Sequence, residues 1–137
     1  MANIVVDSGV LCAAFDATDS DHSRATNFLR HSHVLHTNLP VLTEVAYLLR
    51  KSHQTRQGFL KFAARALQID TETASDLPRI VEIMAKYADL PADFADASVV
   101  ALCERRGIVQ IASFDSDFTV YRLANGQALA NVIMSPL

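Results

Sequence analysis

Two rhythms of apolar and polar positions alternate along this chain: short β-branched runs, and longer stretches in which apolar residues recur at helical spacing. The runs "NIVV" (3–6), "HVLHT" (33–37) and "IVQIASF" (108–114) predict strands, with "QIDT" (68–71) a brief extended piece and "ANVIM" (130–134) a last strand. Helical spacing predicts helices over "SGVLCAAF" (8–15), "DSDHSRATNFLRHS" (19–32), "NLPVLTEVAYLLRKS" (38–52), "RQGFLKFAARAL" (56–67) and "ETASDLPRIVEIMAKYA" (72–88). A further helix, "ADASVVALCERRG" (95–107), is closed by Gly107 in the C′ position. In 38–52, Val41, Val45, Leu48 and Leu49 are expected on one buried stripe. Strands alternating with amphipathic helices imply βαβ units, hence an α/β domain with a mainly parallel sheet and helices on both faces.

Composition narrows this picture without redirecting it. At 137 residues, half of them hydrophobic and 20% charged, the chain reads as a single domain over 1–137 with a sizeable core. No linker, repeat or low-complexity segment interrupts it. The start "MANIVVDSGV" lacks a basic n-region, and no apolar stretch reaches a membrane span, so a cytoplasmic protein is expected. Cys12 and Cys103 stand far apart in apolar runs and are expected as reduced core residues. The net charge of −3 gives no overall pull toward nucleic acid, yet an acidic metal cluster can coexist with a local basic patch.

The chemistry lies in scattered acids. Open α/β sheets bind ligands outside the carboxyl ends of their strands, where Asp7 follows the first strand and Asp115 the "IVQIASF" strand. Asp is also a favoured cap and turn former, and that role alone accounts for many such residues. Glu44 falls beside Val41 and Leu48, at the margin of a core-facing stripe, where a carboxylate is costly unless paired or metal-bound. Asp96 shares a face with Val99, Val100 and Cys103; Asp93, three residues earlier, suits a cap or a supporting acid. Acids converging from two strand ends and two helices repel one another unless a cation neutralises them. Oxygen ligands without His or Cys suit Mg²⁺ or Mn²⁺, which can bind phosphate oxygens, activate water and stabilise a leaving oxygen. That is nuclease chemistry.

"FDSDFTV" also matches the D-x-D-x-T/V nucleophile pattern of haloacid-dehalogenase-like phosphatases. Such enzymes need a lysine and further acids downstream, and none follows Asp117. His31, His33 and His36 straddle a helix end and a strand start with no supporting ligand, and are expected at the surface. Phe59, Phe62, Ile80 and Met84 are expected in the core or a dimer interface. Arg50, Lys51, Arg56, Lys61 and Arg65 form either a solvated pair of helix faces or a patch that grips nucleic-acid phosphates or the acids of a protein partner. Arg122 lies close behind Asp117 and is a further candidate contact for a substrate or a protein partner. Arg105 and Arg106 are expected as helix-dipole partners and surface charge.

The segments "IVVDSGVLCAAF", "LTEVAYLL", "DFADASVVALCERRG" and "IASFDSDFTVYR", in this order and spacing, resemble a PIN-domain ribonuclease of the VapC type, the toxin of bacterial type II toxin–antitoxin pairs. The resemblance covers nearly the whole chain and implies the three-layer PIN fold. By position, Asp7, Glu44, Asp96 and Asp115 match the family's metal-binding catalytic acids. Asp93 and Asp117 match additional nearby acids, Ser8 the small hydroxyl residue after the first aspartate, and Ser113 a position more often threonine. The resemblance also implies Mg²⁺- or Mn²⁺-dependent endonucleolytic cleavage of RNA by a homodimer restrained by a cognate antitoxin. Two other readings stand beside it. A silent PIN-fold module for RNA or protein binding is opposed by the intact acids, and a DNA nuclease of related fold by the lack of spare length for DNA-binding segments.

Overall fold

A computed structural model describes residues 2–31 and 33–133. Five strands form one sheet in the order β3-β2-β1-β4-β5: β1 (Ala2–Val6), β2 (His33–Asn38), β3 (Gln68–Asp70), β4 (Gln110–Ala112) and β5 (Ala130–Asn131). Every ladder is parallel, with Ile4 opposite Leu35, Thr37 opposite Ile69, Val6 opposite Ala112 and Ile111 opposite Asn131. Ile4, Val5 and Val6 are fully buried, as a strand covered on both faces requires. Strand order runs outward from β1 to β3 and then returns across β1 to β4. The reversal therefore falls between β1 and β4, where α/β sheets open a crevice at their carboxyl edge.

The connecting helices are α1 (Ser8–Phe15), α2 (His22–Arg30), α3 (Leu39–Leu48), α4 (His53–Ala66), α5 (Leu77–Lys86) and α6 (Phe94–Arg106). Helix α6 is buried almost all round, from Ala95 to Cys103, because its small Ala and Ser positions let neighbours approach on every side. It ends as expected, with Gly107 at φ 67° and the Ile108 N–H closing onto Cys103. Phe59 and Ile80 join the core, with Phe62 and Met84 packed at its edge. Cys103 is buried, Cys12 half-buried, and both are free thiols. Among the described residues no helix is long and apolar enough to cross a membrane.

Several boundaries differ from the sequence expectation. The stretch 38–52 stops being helical after Leu48, which is 51% exposed, while Leu49 turns inward. The buried line is Val41, Val45, Leu49, at i, i+4 and i+8, and Leu48 falls on its outer flank. Ser52 caps the next helix, accepting from the Thr55 N–H, so α4 begins three residues earlier than its apolar pattern suggests. The stretch 72–88 divides into a 3-10 turn, Thr73–Asp76, and α5, whose Pro78 sits in the first turn where its missing N–H does no harm. Asp16 and Asp19 close turns ahead of α2, so that helix starts at His22; the Ser32 end of its predicted span lies outside the described residues. The 108–114 run keeps only Gln110–Ala112 as strand. The last strand is short, and its predicted end at Met134 also lies outside the described residues.

Two side-chain expectations are overturned. His36 is buried in β2, its Nε2 2.9 Å from Asn3 Oδ1 on β1, and His33 is half-buried against Phe28; only His31 is exposed. A strand inside a parallel sheet leaves no solvent face for them. Arg105 is not a surface charge but the centre of an ion-pair cluster: its guanidinium donates to Asp70 at 2.6 Å and Asp76 at 2.9 Å, with Glu72 at 3.4 Å. Asp70 and Asp76 are themselves buried, so this one guanidinium ties the end of β3 and the 3-10 turn to the end of α6. Removing it strands two buried carboxylates, and Arg105→Ala is expected to lose roughly 2–3 kcal/mol in urea unfolding. Arg106→Ala, at a residue 3.8 Å from Asp70 and largely exposed, should stay within about 0.5 kcal/mol.

Candidate metal centre

The carboxyl ends of β1 and β4 are locked side by side. The Asp7 N–H donates to Ala112 carbonyl at 2.9 Å, which brings the residue after β1 level with the residue after β4. There the Ser113 hydroxyl donates to Asp7 Oδ2 at 2.9 Å and accepts from the Asp115 N–H at 3.0 Å. One small hydroxyl thus couples the acids that follow the two central strands. Asp115 Oδ1 in turn accepts from the Asp117 N–H at 2.9 Å, folding the chain into the 3-10 turn Ser116–Thr119.

The bland capping role separates these acids. Asp93 caps α6, accepting from the Asp96 N–H at 2.8 Å, and Asp115 caps its own short turn. Asp7 occupies the N-cap position of α1 but makes no capping bond, and Ser8 opens the helix buried beside it. Asp7 Oδ1 is buried without a hydrogen-bond partner, a state that costs free energy unless something else meets it. Burial pushes the Asp7 carboxyl up to about 6, with the Ser8 amide and Ser113 hydroxyl pulling down and the fields of Glu44 and Asp115 adding to the rise.

Asp96 enters from the first turn of α6, with Val99, Val100 and Cys103 of its face all buried. Its carboxyl is pushed to about 7, by burial first and then by Asp93, Asp7, Asp115 and Glu44. The Tyr121 hydroxyl stands 3.4 Å from Asp96 Oδ2. Glu44, half-buried on α3, makes no hydrogen bond among the described residues, yet its charge is felt at Asp7, Asp96 and Cys12. The acids expected to converge therefore do share one electrostatic neighbourhood. They do not form a closed cage: among the described residues, no three His, Cys, Asp or Glu side chains are gathered so as to hold a metal ion. The donor set is all oxygen, one of those oxygens is orphaned, and the Asp7 and Asp96 carboxyls resist ionisation. That fits a hard cation that keeps much of its water shell.

Arg50, Lys51, Lys61 and Arg65 are exposed and Arg56 is half-buried, along the end of α3 and the length of α4. Arg50 stacks over Tyr47, 4.0 Å from its ring centre. Arg122 is turned back on its own backbone, donating to the carbonyls of Thr119, Val120 and Tyr121, so its charge caps the 3-10 turn.

Three supporting residues were not among the sequence candidates. Asn131 on β5 clamps Ser113, donating to its carbonyl at 2.8 Å and accepting from its N–H at 3.2 Å. Asn38 caps α3 and donates to Ser98 Oγ on α6, both side chains buried, so the helices bearing Glu44 and Asp96 are tied together. Tyr121 is fully buried, packed edge-on against Tyr87 and Phe118. Each is a polar group within an apolar surrounding, and that was the available signal: the lone Asn in "ANVIM", the Asn before "LPV", and the Tyr in "FTVYR".

Among solved structures, the chain is similar to Mycobacterium tuberculosis VapC20, a sarcin–ricin-loop-cleaving toxin. The identity is 26% and the TM-score 0.76, over 85% of this chain and 93% of that one. VapBC2 from Rickettsia felis, bound to a promoter DNA fragment, shares the fold at 13% identity and TM-score 0.63, over 85% and 90% of the two chains. FitAcB from Neisseria gonorrhoeae does so at 12% and 0.54, over 82% and 88%. No curated protein matches the sequence. The PIN domain family model matches residues 4–123, from the first strand through the turn beyond Asp117, and the chain belongs to the PIN domain family.

Proposed function

We propose that this chain is a metal-dependent endoribonuclease and the toxin of a type II toxin–antitoxin pair, with Asp7, Glu44, Asp96 and Asp115 as its metal-binding catalytic acids. The observation that carries the proposal is the orphaned, buried Asp7 Oδ1 within a field of other carboxylates at the strand-order reversal. The likeness to VapC20, a toxin that cleaves an RNA loop, supports RNA as substrate. A cognate antitoxin and a homodimer belong to the same proposal, as does RNA-phosphate contact by Arg50, Lys51, Arg56 and Lys61.

Asp7, Glu44, Asp96 and Asp115 would hold a Mg²⁺ or Mn²⁺ ion; when bound, the ion would polarise a water and offset charge on the scissile phosphate and leaving oxygen. The protein's own part is positional. Ser113 fixes Asp7 through Oδ2 and leaves Oδ1 for other use, while Asn131 holds the Ser113 backbone in register. Asp93 holds the first turn of α6, and with it the backbone that carries Asp96. The Asp117 backbone N–H, donating to Asp115 Oδ1, stabilises the turn that keeps Asp115 beside Ser113. Because burial and the neighbouring carboxylates hold the Asp96 carboxyl up to about 7, a cation would compete with its proton, and binding is expected to tighten as pH rises from 6 to 8.

The first test is cleavage of a mixed structured RNA pool by partner-free protein with Mn²⁺, Mg²⁺ or EDTA. Cutting is expected with either metal and not with EDTA. Asp7→Asn and Asp96→Asn should each lower it at least about a hundredfold, and Ser113→Ala about tenfold. Undiminished cutting by either Asn variant sinks the assignment, and no cutting together with no Mn²⁺ binding in calorimetric titration points to the silent module.

Stability gives a second test. A carboxyl raised from 3.8 to about 6 in the native state keeps its proton where the unfolded chain has lost it. Native stability therefore falls as pH rises through that window, and the penalty is complete above it. In EDTA at pH 8, Asp7→Asn should melt a few degrees above the unmodified protein, and the gap should close near pH 4. Mn²⁺ at pH 8 should raise the melting temperature of the unmodified protein and leave Asp7→Asn almost unmoved. Equal Mn²⁺ responses would rule out Asp7 as a ligand.

A further inference from the structure

Beside the acids lies an open groove of about 660 Å³ between α3 and the start of α6. Its walls include Leu39, Tyr47 and Phe94, which are 52%, 60% and 42% exposed, and its rim carries Glu44 and Asp93. Two large aromatic side chains left this open beside a polar site mark a binding surface rather than unfinished packing. The groove shares Glu44 with the acid cluster, and Asp93 stands three residues before Asp96. A strand whose phosphodiester lies at the acids can therefore place a neighbouring group here.

We propose that this groove is a base subsite: it takes one unpaired nucleobase of the substrate strand, stacked on Tyr47 and Phe94. The inference rests on the ribonuclease reading and names what that enzyme would recognise. Three observations favour a base. Aromatic walls suit any nucleobase, whose flat faces stack with little regard to sequence. The rim offers carboxylate acceptors, which pair with the exocyclic amine of adenine, cytosine or guanine and would face the carbonyls of uracil unfavourably. Arg50 adds a positive charge beside the groove: its guanidinium donates to the Tyr47 carbonyl and lies 4.0 Å over one face of the Tyr47 ring, which leaves the other face for a base. An apolar protein face pressed onto the same groove would bury the Glu44 carboxylate without a donor, which is costly.

The test uses Asp96→Asn protein, so that binding is read without cleavage, and end-labelled single-stranded octamers of C, of A and of U, with a duplex as control, followed by fluorescence anisotropy. The C and A octamers should bind several-fold more tightly than the U octamer, and the duplex more weakly than any of them. Tyr47→Ala and Phe94→Ala should each weaken the C octamer by about 5- to 100-fold, and Tyr47→Phe should restore the affinity. Unchanged affinity in both alanine variants, or equal affinity for C and U, overturns the subsite. So does a loss of affinity that tracks loss of a dimer in light scattering, because the face then belongs to a second copy. Cleavage of the RNA pool by Tyr47→Ala in the otherwise unmodified protein separates the two levels. Metal-dependent cutting with a raised KM supports the subsite, and cutting with an unchanged KM removes it while leaving the nuclease. Absence of cutting by the unmodified protein removes the reading on which it rests.

Discussion

The pairing of β1 with β4 organises the carboxyl edge of this sheet. Because the strand order reverses between them, no helix crosses directly from the end of one to the start of the other, and a gap opens where their chains leave the sheet. The Asp7–Ala112 backbone bond sets the two exits level, and the Ser113 hydroxyl then spans from one to the other. Every further acid is placed relative to that junction: Asp115 through Ser113, Asp96 through the packing of α6 on the sheet, and Glu44 through the Asn38–Ser98 tie between α3 and α6.

Such a junction is energetically uncomfortable by itself. A carboxylate buried beside other carboxylates loses hydration without gaining a counter-charge, and its pKa rises until the proton is the cheapest remedy. Elsewhere in the molecule the same difficulty is met differently. Asp70 and Asp76 are comparably buried, but they share the Arg105 guanidinium, and nothing further is needed there. The contrast between a cluster with its own cation and a cluster without one distinguishes scaffold from site more sharply than burial does.

Much of this was legible in the sequence, for identifiable reasons. A strand covered on both faces reads as an unbroken apolar run, so "NIVV" and the acid that ends it stand out. Four acids on four elements, in one order, carry the family resemblance. The features that stayed hidden depend on distant pairing. Leu48 and Leu49 are alike in composition, and only the end of α3 decides which one faces inward. His36 reads as a surface residue until β2 is known to lie between β1 and β3. Arg105 sits in a helix-end position that suits any base, and its three acid partners lie 29 to 35 residues away. Asn131 and Tyr121 act on residues 18 and 25 positions distant, and local patterning carries no mark of such contacts.

The helix that carries Asp96 is enclosed along nearly its whole length, and its neighbours fit against alanine and serine. Such an element has no slack: it can neither rotate nor admit a bulkier residue without disturbing the sheet beneath it. Helices α3 and α4, by contrast, keep open flanks. Divergence in what the protein recognises is therefore channelled to the open flanks of α3 and α4, while the half-buried Glu44 of α3 and Asp96 of α6 are held to a fixed chemistry. The same scaffold can change its target without relearning how to fold.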